Sequence, residues 1–273
     1  MIFVRDKGRM CNNILQYGHL YAWGREHGRS TMSMRFAYKY CYFRICHTRY
    51  HNFFFYLLAK YAAKWHLLPV ADFGLDAPAS DYDAQENRLL SHRHVVAEGW
   101  YARWYDLFLK YKSEIISLFT FDEEVCRRPD LLLSSLPEGV LCIGLHIRRG
   151  DYCRWYGGRY YYSDEQYINV VKGHLSTIPE KRVALLVCGN DPELDEAAFR
   201  QAFPDATVLF PKGNPAEDLY LLSRCDRLIG APSTFSLVAS MYRDVPLYWI
   251  EDPAVVPSAH CFGHFDQLFQ QIK

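Results

Sequence analysis

No run of about eighteen apolar residues occurs in the chain, so no membrane-spanning helix is expected; the longest candidate, residues 53–59, is far too short. Met1 to Val4 lead straight into Arg5-Asp6-Lys7, without the apolar core of a secretory leader. The nine cysteines are odd in number, scattered and never spaced as CxxC. Zinc sites and disulfide frameworks favour tighter, even patterns, so free thiols in a reducing cytoplasm are expected. Formal net charge is zero, which removes any global case for nucleic acid as a partner. No GxGxxG follows a strand and no GxxxxGK(S/T) occurs, which argues against a dinucleotide cofactor and excludes a P-loop. HExxH, GxSxG and a metal-bridging DxD are missing as well, so no metal is expected at the site. One absence is local: residues 27–71 contain no acid. That window holds Arg29, Arg35, Lys39, Arg44, Arg49, Lys60 and Lys64 among Tyr, Phe and Trp, a mixture that suits an anionic membrane surface or a lipid-linked substrate. A solvated cationic face is the plainer account of the same window.

What is present is an α/β pattern over 273 residues, half of them apolar. Strands are expected at 140–145, 182–188, 207–210, 227–230 and 246–250, with helices at 164–175, 193–202, 216–223 and 233–242 between them. This alternation predicts one Rossmann-like domain. The first half is less regular, with a strand at 2–4, a helix at 12–26 and long amphipathic helices within 87–119. A linker is expected at 131–137. The domains are then 1–135, on the acceptor side, 136–250, for the nucleotide, and a helical tail at 251–273.

Three places carry chemistry. Residues 146–152 read HIRRGDY at the carboxyl end of a strand, where open α/β sheets bind ligands. Strand alternation sends His146 and Arg148 to one face and Arg149 to the other. Arg148, with His146 beside it, suits a phosphate or pyrophosphate, and Asp151 can hold a guanidinium. Residues 230–242 place Ser233, Thr234, Phe235 and Ser236 in the first turn of a helix, a second anion cradle. Asp218 precedes a short helix, where Glu217 and Asp218 also suit the helix dipole.

Taken together, in this order, these segments resemble the α-1,2-fucosyltransferases of glycosyltransferase family 11. HIRRGDY is similar to the family's HxRRGDY, and DLYLLSRCDRLIGAPSTFSLVAS to its D-L-x-L-M-S-x-C-D…S-T-F-S-W-W-A block. Residues 8–28 resemble its G-G-x-G-N-Q-x-F-Q-Y opening through Asn12, Gln16 and Tyr17, with Arg9 and Cys11 in place of two glycines. Leu237-Val238 stand where the family has paired tryptophans, and Gly189-Asn190-Asp191 where it has S-D-D.

The resemblance implies a GT-B fold, two Rossmann-like domains facing a cleft, and a metal-independent, inverting transfer of fucose from GDP-β-L-fucose without a cofactor. It implies that Arg148, Ser233 and Thr234 hold the diphosphate and that Asp218 reads guanine. His146 and Asp151 complete the catalytic set, Asn190, Phe235 and Ser236 the donor site, and Asn12, Asn13 and Gln16 the acceptor side. The expected acceptor is an oligosaccharide or lipid-linked glycan, joined by an α-1,2 linkage to galactose. The alternatives are an α-1,6 or protein O-linked transferase, or a non-catalytic protein that binds nucleotide sugars or glycans. The expected location is the cytoplasm, peripheral to a membrane.

Overall fold

The computed structural model describes residues 1–179, 182–189 and 191–272. The chain divides into two compact units, Met1–Asp122 and Glu123–Lys273. The first contains β1 (Ile2–Arg5), α1 (Met10–Glu26), β2 (Thr31–Ser33), α2 (Phe53–Lys64), β3 (Val70–Asp72), α3 (Tyr82–Ser91), β4 (Val95–Glu98), α4 (Tyr105–Lys110) and α5 (Lys112–Leu118). Its four strands form a parallel sheet in the order β2-β1-β4-β3, with Ile2 beside Thr31 on one side and Val95 on the other. Ile2 and Val4 alternate inward, the period of two that a pleated strand imposes. Helix α1 is buried almost all round, with Ile14, Leu15, Tyr17 and Trp23 in the core. Helix α2 starts where Asn52 accepts from the N–H groups of Phe54 and Phe55, yet it buries only Ala59 and Ala63.

The second unit contains α6 (Glu123–Ser134), β5 (Leu141–Ile147), α7 (Asp164–Ser176), β6 (Val183–Gly189), α8 (Glu196–Ala202), β7 (Thr207–Leu209), α9 (Pro215–Ser223), β8 (Arg227–Gly230), α10 (Thr234–Arg243), β9 (Leu247–Trp249) and α11 (Phe265–Leu268). The five strands are parallel, in the order β7-β6-β5-β8-β9. From β5 the chain steps outward to β6 and β7, then returns to the other side of β5 for β8 and β9. Strands β5 and β6 are near-continuous apolar runs because helices cover both faces of a parallel sheet. Ile143, Leu145, Leu185 and Val187 anchor the core with Tyr167 and Phe199.

Three expectations are corrected here. Residues 87–119 do not hold long helices: β4 lies inside them, and α4 and α5 are short. Residues 131–134 belong to α6, which falls within the second unit, so the chain divides at 122 and not at 135. Residues beyond 250 form no long helical tail; Gly263 makes an antiparallel bridge to Leu247, and Phe265 and Phe269 are buried. All nine cysteines are free, and among the described residues no helix is long and apolar enough to cross a membrane.

Candidate active site

Strand order in the second unit reverses between β5 and β8. In an open parallel sheet that reversal opens a crevice beyond the strand ends, because the two connections leave in opposite directions. Arg148 follows β5 and the Pro232-Ser233 turn follows β8, so the two anion-binding candidates flank this crevice. Two contacts tie the loops together. The His146 ring stacks on Phe235 with centroids 4.9 Å apart, and Tyr152 donates its hydroxyl proton to the Pro232 carbonyl at 2.5 Å.

The adjacent arginines separate as strand alternation predicts. Arg149 is buried and donates to Asp164, to Asp191 at 2.6 Å and to the Tyr162 carbonyl at 2.9 Å. It links the end of β5 to the start of α7 and the end of β6, and its charge is consumed by structure. Arg148 donates to Asp151 at 2.6 Å, and its guanidinium lies 5.1 Å from the Tyr152 ring centroid. Asp151 is more than half exposed, so this pair leaves the guanidinium available to a stronger anion. Gly150, at φ +71°, gives the left-handed turn that brings Asp151 back to Arg148.

His146 departs from expectation. Burial, then the Arg148 charge, pull its pKa down to about 3, so the ring is neutral at physiological pH. Its Nδ1 is buried without a hydrogen-bond partner. The pair therefore offers one cation and one neutral hydrogen-bonding ring, not two cations.

At α10, Ser233 is the N-cap and accepts from the Phe235 N–H at 3.1 Å. Thr234 is the half-buried first residue of the helix, whose N-terminus carries the partial positive charge of the aligned peptides. Ser236 is the exception: fully buried, it donates to the Ser233 carbonyl and accepts from Trp249 Nε1 at 3.1 Å. It supports the cap from behind and does not face the crevice. Its spacing from buried Ser240 was the available signal, since residues four apart share a helix face.

Asp218 lines a cavity of about 460 Å³ with Gly213, Lys212 and Leu221, closed on the other side by Arg128 and Leu132 of α6. Glu217 is spent on the capping box with Asn214. Asp218 is not: its Oδ1 is buried with no hydrogen-bond partner, and burial, then Glu217, push its pKa up to about 7. An orphaned carboxylate on a cavity wall suits a ligand that presents N–H donors. A Cβ at Gly213 would come within 2.9 Å of Glu217 and 3.2 Å of the Asp218 carboxylate, so glycine there keeps the approach open. Burial raises the Cys188 thiol well above its usual range, and the Asp218 charge adds to it. Arg128 and Lys212 were missed from sequence, although Asn214-Pro215-Ala216-Glu217 spells the capping box that marks this helix start.

Of the remaining candidates, Asn190 lies outside the described residues. In the first unit, Gln16 donates to the Lys7 and Asn12 carbonyls and accepts from the Lys7 N–H, pinning the loop after β1. Asn13 is fully buried with Oδ1 unpartnered, and Asn12 is half-buried. The spelling DxD does occur once, at Asp81-Tyr82-Asp83, contrary to the sequence expectation. There Asp81 accepts from Gln85, and Asp83 sits in the first turn of α3.

Residues 132–243 match the model of glycosyl transferase family 11, which bears out the resemblance over that stretch. No curated protein is similar enough to count as a match. Among solved structures, FUT1 of Arabidopsis thaliana in complex with GDP is similar with a TM-score of 0.65 at 13% identity, over 96% of this chain and 73% of that one. POFUT1 in complex with GDP gives 0.58 at 12%, over 94% and 96%. The α-1,6-fucosyltransferase NodZ co-crystallised with GDP, a protein also solved from Bradyrhizobium, gives 0.57 at 14%, over 90% and 94%. At such identities the likeness shows the fold, which is of the GT-B type with two Rossmann-like units.

Proposed function

We propose that this chain, whose residues 132–243 carry the glycosyl transferase family 11 pattern, is a GDP-fucose-dependent fucosyltransferase. The observation that carries this is the grouping, in one unit, of Arg148 and the α10 N-terminus at a strand-order reversal with the unpartnered Asp218 carboxylate in its own cavity. The first two suit a diphosphate, and the third suits the N–H edge of guanine. The GDP complexes of similar folds favour the same donor.

In this mechanism the bond from the sugar to the β-phosphate oxygen breaks as the acceptor hydroxyl attacks from the opposite face, which inverts the anomeric centre; GDP leaves with the bonding electron pair and the hydroxyl proton passes to water. Charge grows on the departing oxygen while the sugar becomes oxocarbenium-like. Arg148 and the first-turn N–H groups of α10 meet that charge, which is larger in the transition state than in the ground state. Neutral His146 contributes a hydrogen bond from within the crevice, and Asp151 orients the guanidinium. No divalent metal is required, because the cation and the helix end take its place. The acceptor is a glycan, free or lipid-linked, with an α-1,2 linkage to galactose, and the enzyme works in the cytoplasm, peripheral to a membrane.

The test is incubation with GDP-fucose and a panel of galactose-terminated glycans, with GDP release measured and product linkage determined by NMR. Acceptor-dependent GDP release with an α-1,2 product is expected. GDP binding without release on any acceptor would favour a non-catalytic binder instead.

A further inference from the structure

We propose that α2 is an interfacial helix that seats on an anionic bilayer, with its outward apolar stripe among the lipids and the cationic pocket beside it around a lipid phosphate. The inference rests on the peripheral placement just proposed and names the device that achieves it.

Phe54, Leu58, Tyr61 and Trp65 recur at i, i+4, i+7 and i+11, one face of a helix. Ordinarily that face would be the buried one. Here the small residues Ala59 and Ala63 point inward, while Phe54 is 65% exposed, Leu58 51%, Tyr61 40% and Trp65 64%. Phe53 and Leu67 extend the same surface at 58% and 70%. A contiguous exposed apolar patch of this kind marks an interaction surface.

The charge beside it selects the occupant. Lys60 and Lys64 flank the stripe and line a cavity of about 500 Å³ together with Arg35 and His66; Arg5 lines it too, but its guanidinium is paired with Glu98 at 3.0 Å. The cavity's carboxylate, Asp6, is turned inward, where it accepts from the Ser33 hydroxyl and the Arg35 N–H. Arg35 donates to the Tyr38 hydroxyl at 2.8 Å, and the Tyr38 and Tyr56 rings lie 4.3 Å apart. No acid occurs anywhere from residue 27 to residue 71. An anionic bilayer presents negative phosphates and apolar chains in adjacent layers, matching both halves of this surface. A second copy of this chain would set like charge against like charge.

The experiment is co-sedimentation of the full chain with phosphatidylglycerol or phosphatidylcholine vesicles, at low and high salt. It is paired with tryptophan quenching by brominated lipids. Wild type is expected to pellet with phosphatidylglycerol at low salt, with at least tenfold loss in high salt or on phosphatidylcholine. A Phe54→Ser, Leu58→Ser, Trp65→Ser variant and a Lys60→Glu, Lys64→Glu variant should each lose at least tenfold in affinity with unchanged circular dichroism and Tm. Trp65→Phe should keep binding and lose the quench. Wild type left in the supernatant at low salt would overturn both this inference and the peripheral placement. Salt-sensitive binding that ignores the stripe variant, without quenching, would overturn insertion alone and leave the placement standing. A dimer by light scattering that the stripe variant dissolves, in a protein that ignores vesicles, would assign α2 to a second copy.

Discussion

Asp218 carries a titration that can be followed. With its pKa near 7 in the free protein, the carboxyl is largely neutral below that pH, and a neutral acid cannot accept two N–H bonds as a carboxylate does. Binding guanine should favour the ionised form, so GDP affinity should fall about tenfold per pH unit below 7 until the neutral form's affinity is reached. Asp218→Asn should weaken GDP by about 1.5–3 kcal/mol, the range for hydrogen bonds to charged groups, and flatten the profile. Calorimetry across pH 5.5–8.5 measures both. The limb should persist in His146→Gln, since that ring stays neutral down to about pH 3. Arg148→Ala should lower kcat by about 10²–10³, and Arg148→Lys should restore little, because a point charge lacks the planar fork. Arg149 sits one residue away with a different task. Arg149→Met strands Asp191 and Asp164 and should lower stability by about 3–5 kcal/mol, read from denaturant midpoints at constant m.

At the scale of elements, β5, β6 and β8 were legible because fully covered parallel strands read as apolar runs. The strands β2, β3 and β4 were not read from the sequence, although β7, β8 and β9, which are no longer, stood out in the regular alternation of the second half. The end of α6 looked like a linker because the stretch runs into Leu136-Pro137-Glu138-Gly139; only packing against α9 makes it a cavity wall. The crevice residues Arg148, Ser233 and Thr234 were legible from strand-end and helix-start signals. The burial that neutralises His146 and loads Asp218 with a proton depends on tertiary packing, which no local pattern encodes. The Ser233 cap offers a further test. Ser233→Ala should lower stability by about 0.5–2 kcal/mol and weaken GDP more than Ser236→Ala does, the second hydroxyl being turned toward Trp249.

For the whole molecule, zero net charge hides an uneven distribution, with residues 27–71 wholly free of acids. Whole-chain isoelectric behaviour therefore says little about what either unit attracts. The proposed independence of metal is tested at this scale as well, since activity integrates every site. Dialysis against EDTA should leave the fucosyl-transfer rate unchanged, and a rate abolished and then restored by Mg²⁺ or Mn²⁺ would remove Arg148 and the helix end as sufficient counter-charges. The two ties across the crevice, His146 on Phe235 and Tyr152 to Pro232, also bear on time. Loops stapled to one another by their own side chains have little rearranging left to do. Nucleotide capture should then be a single fast encounter, first-order in nucleotide and slowed by salt, without the plateau in observed rate that a loop-ordering step would impose.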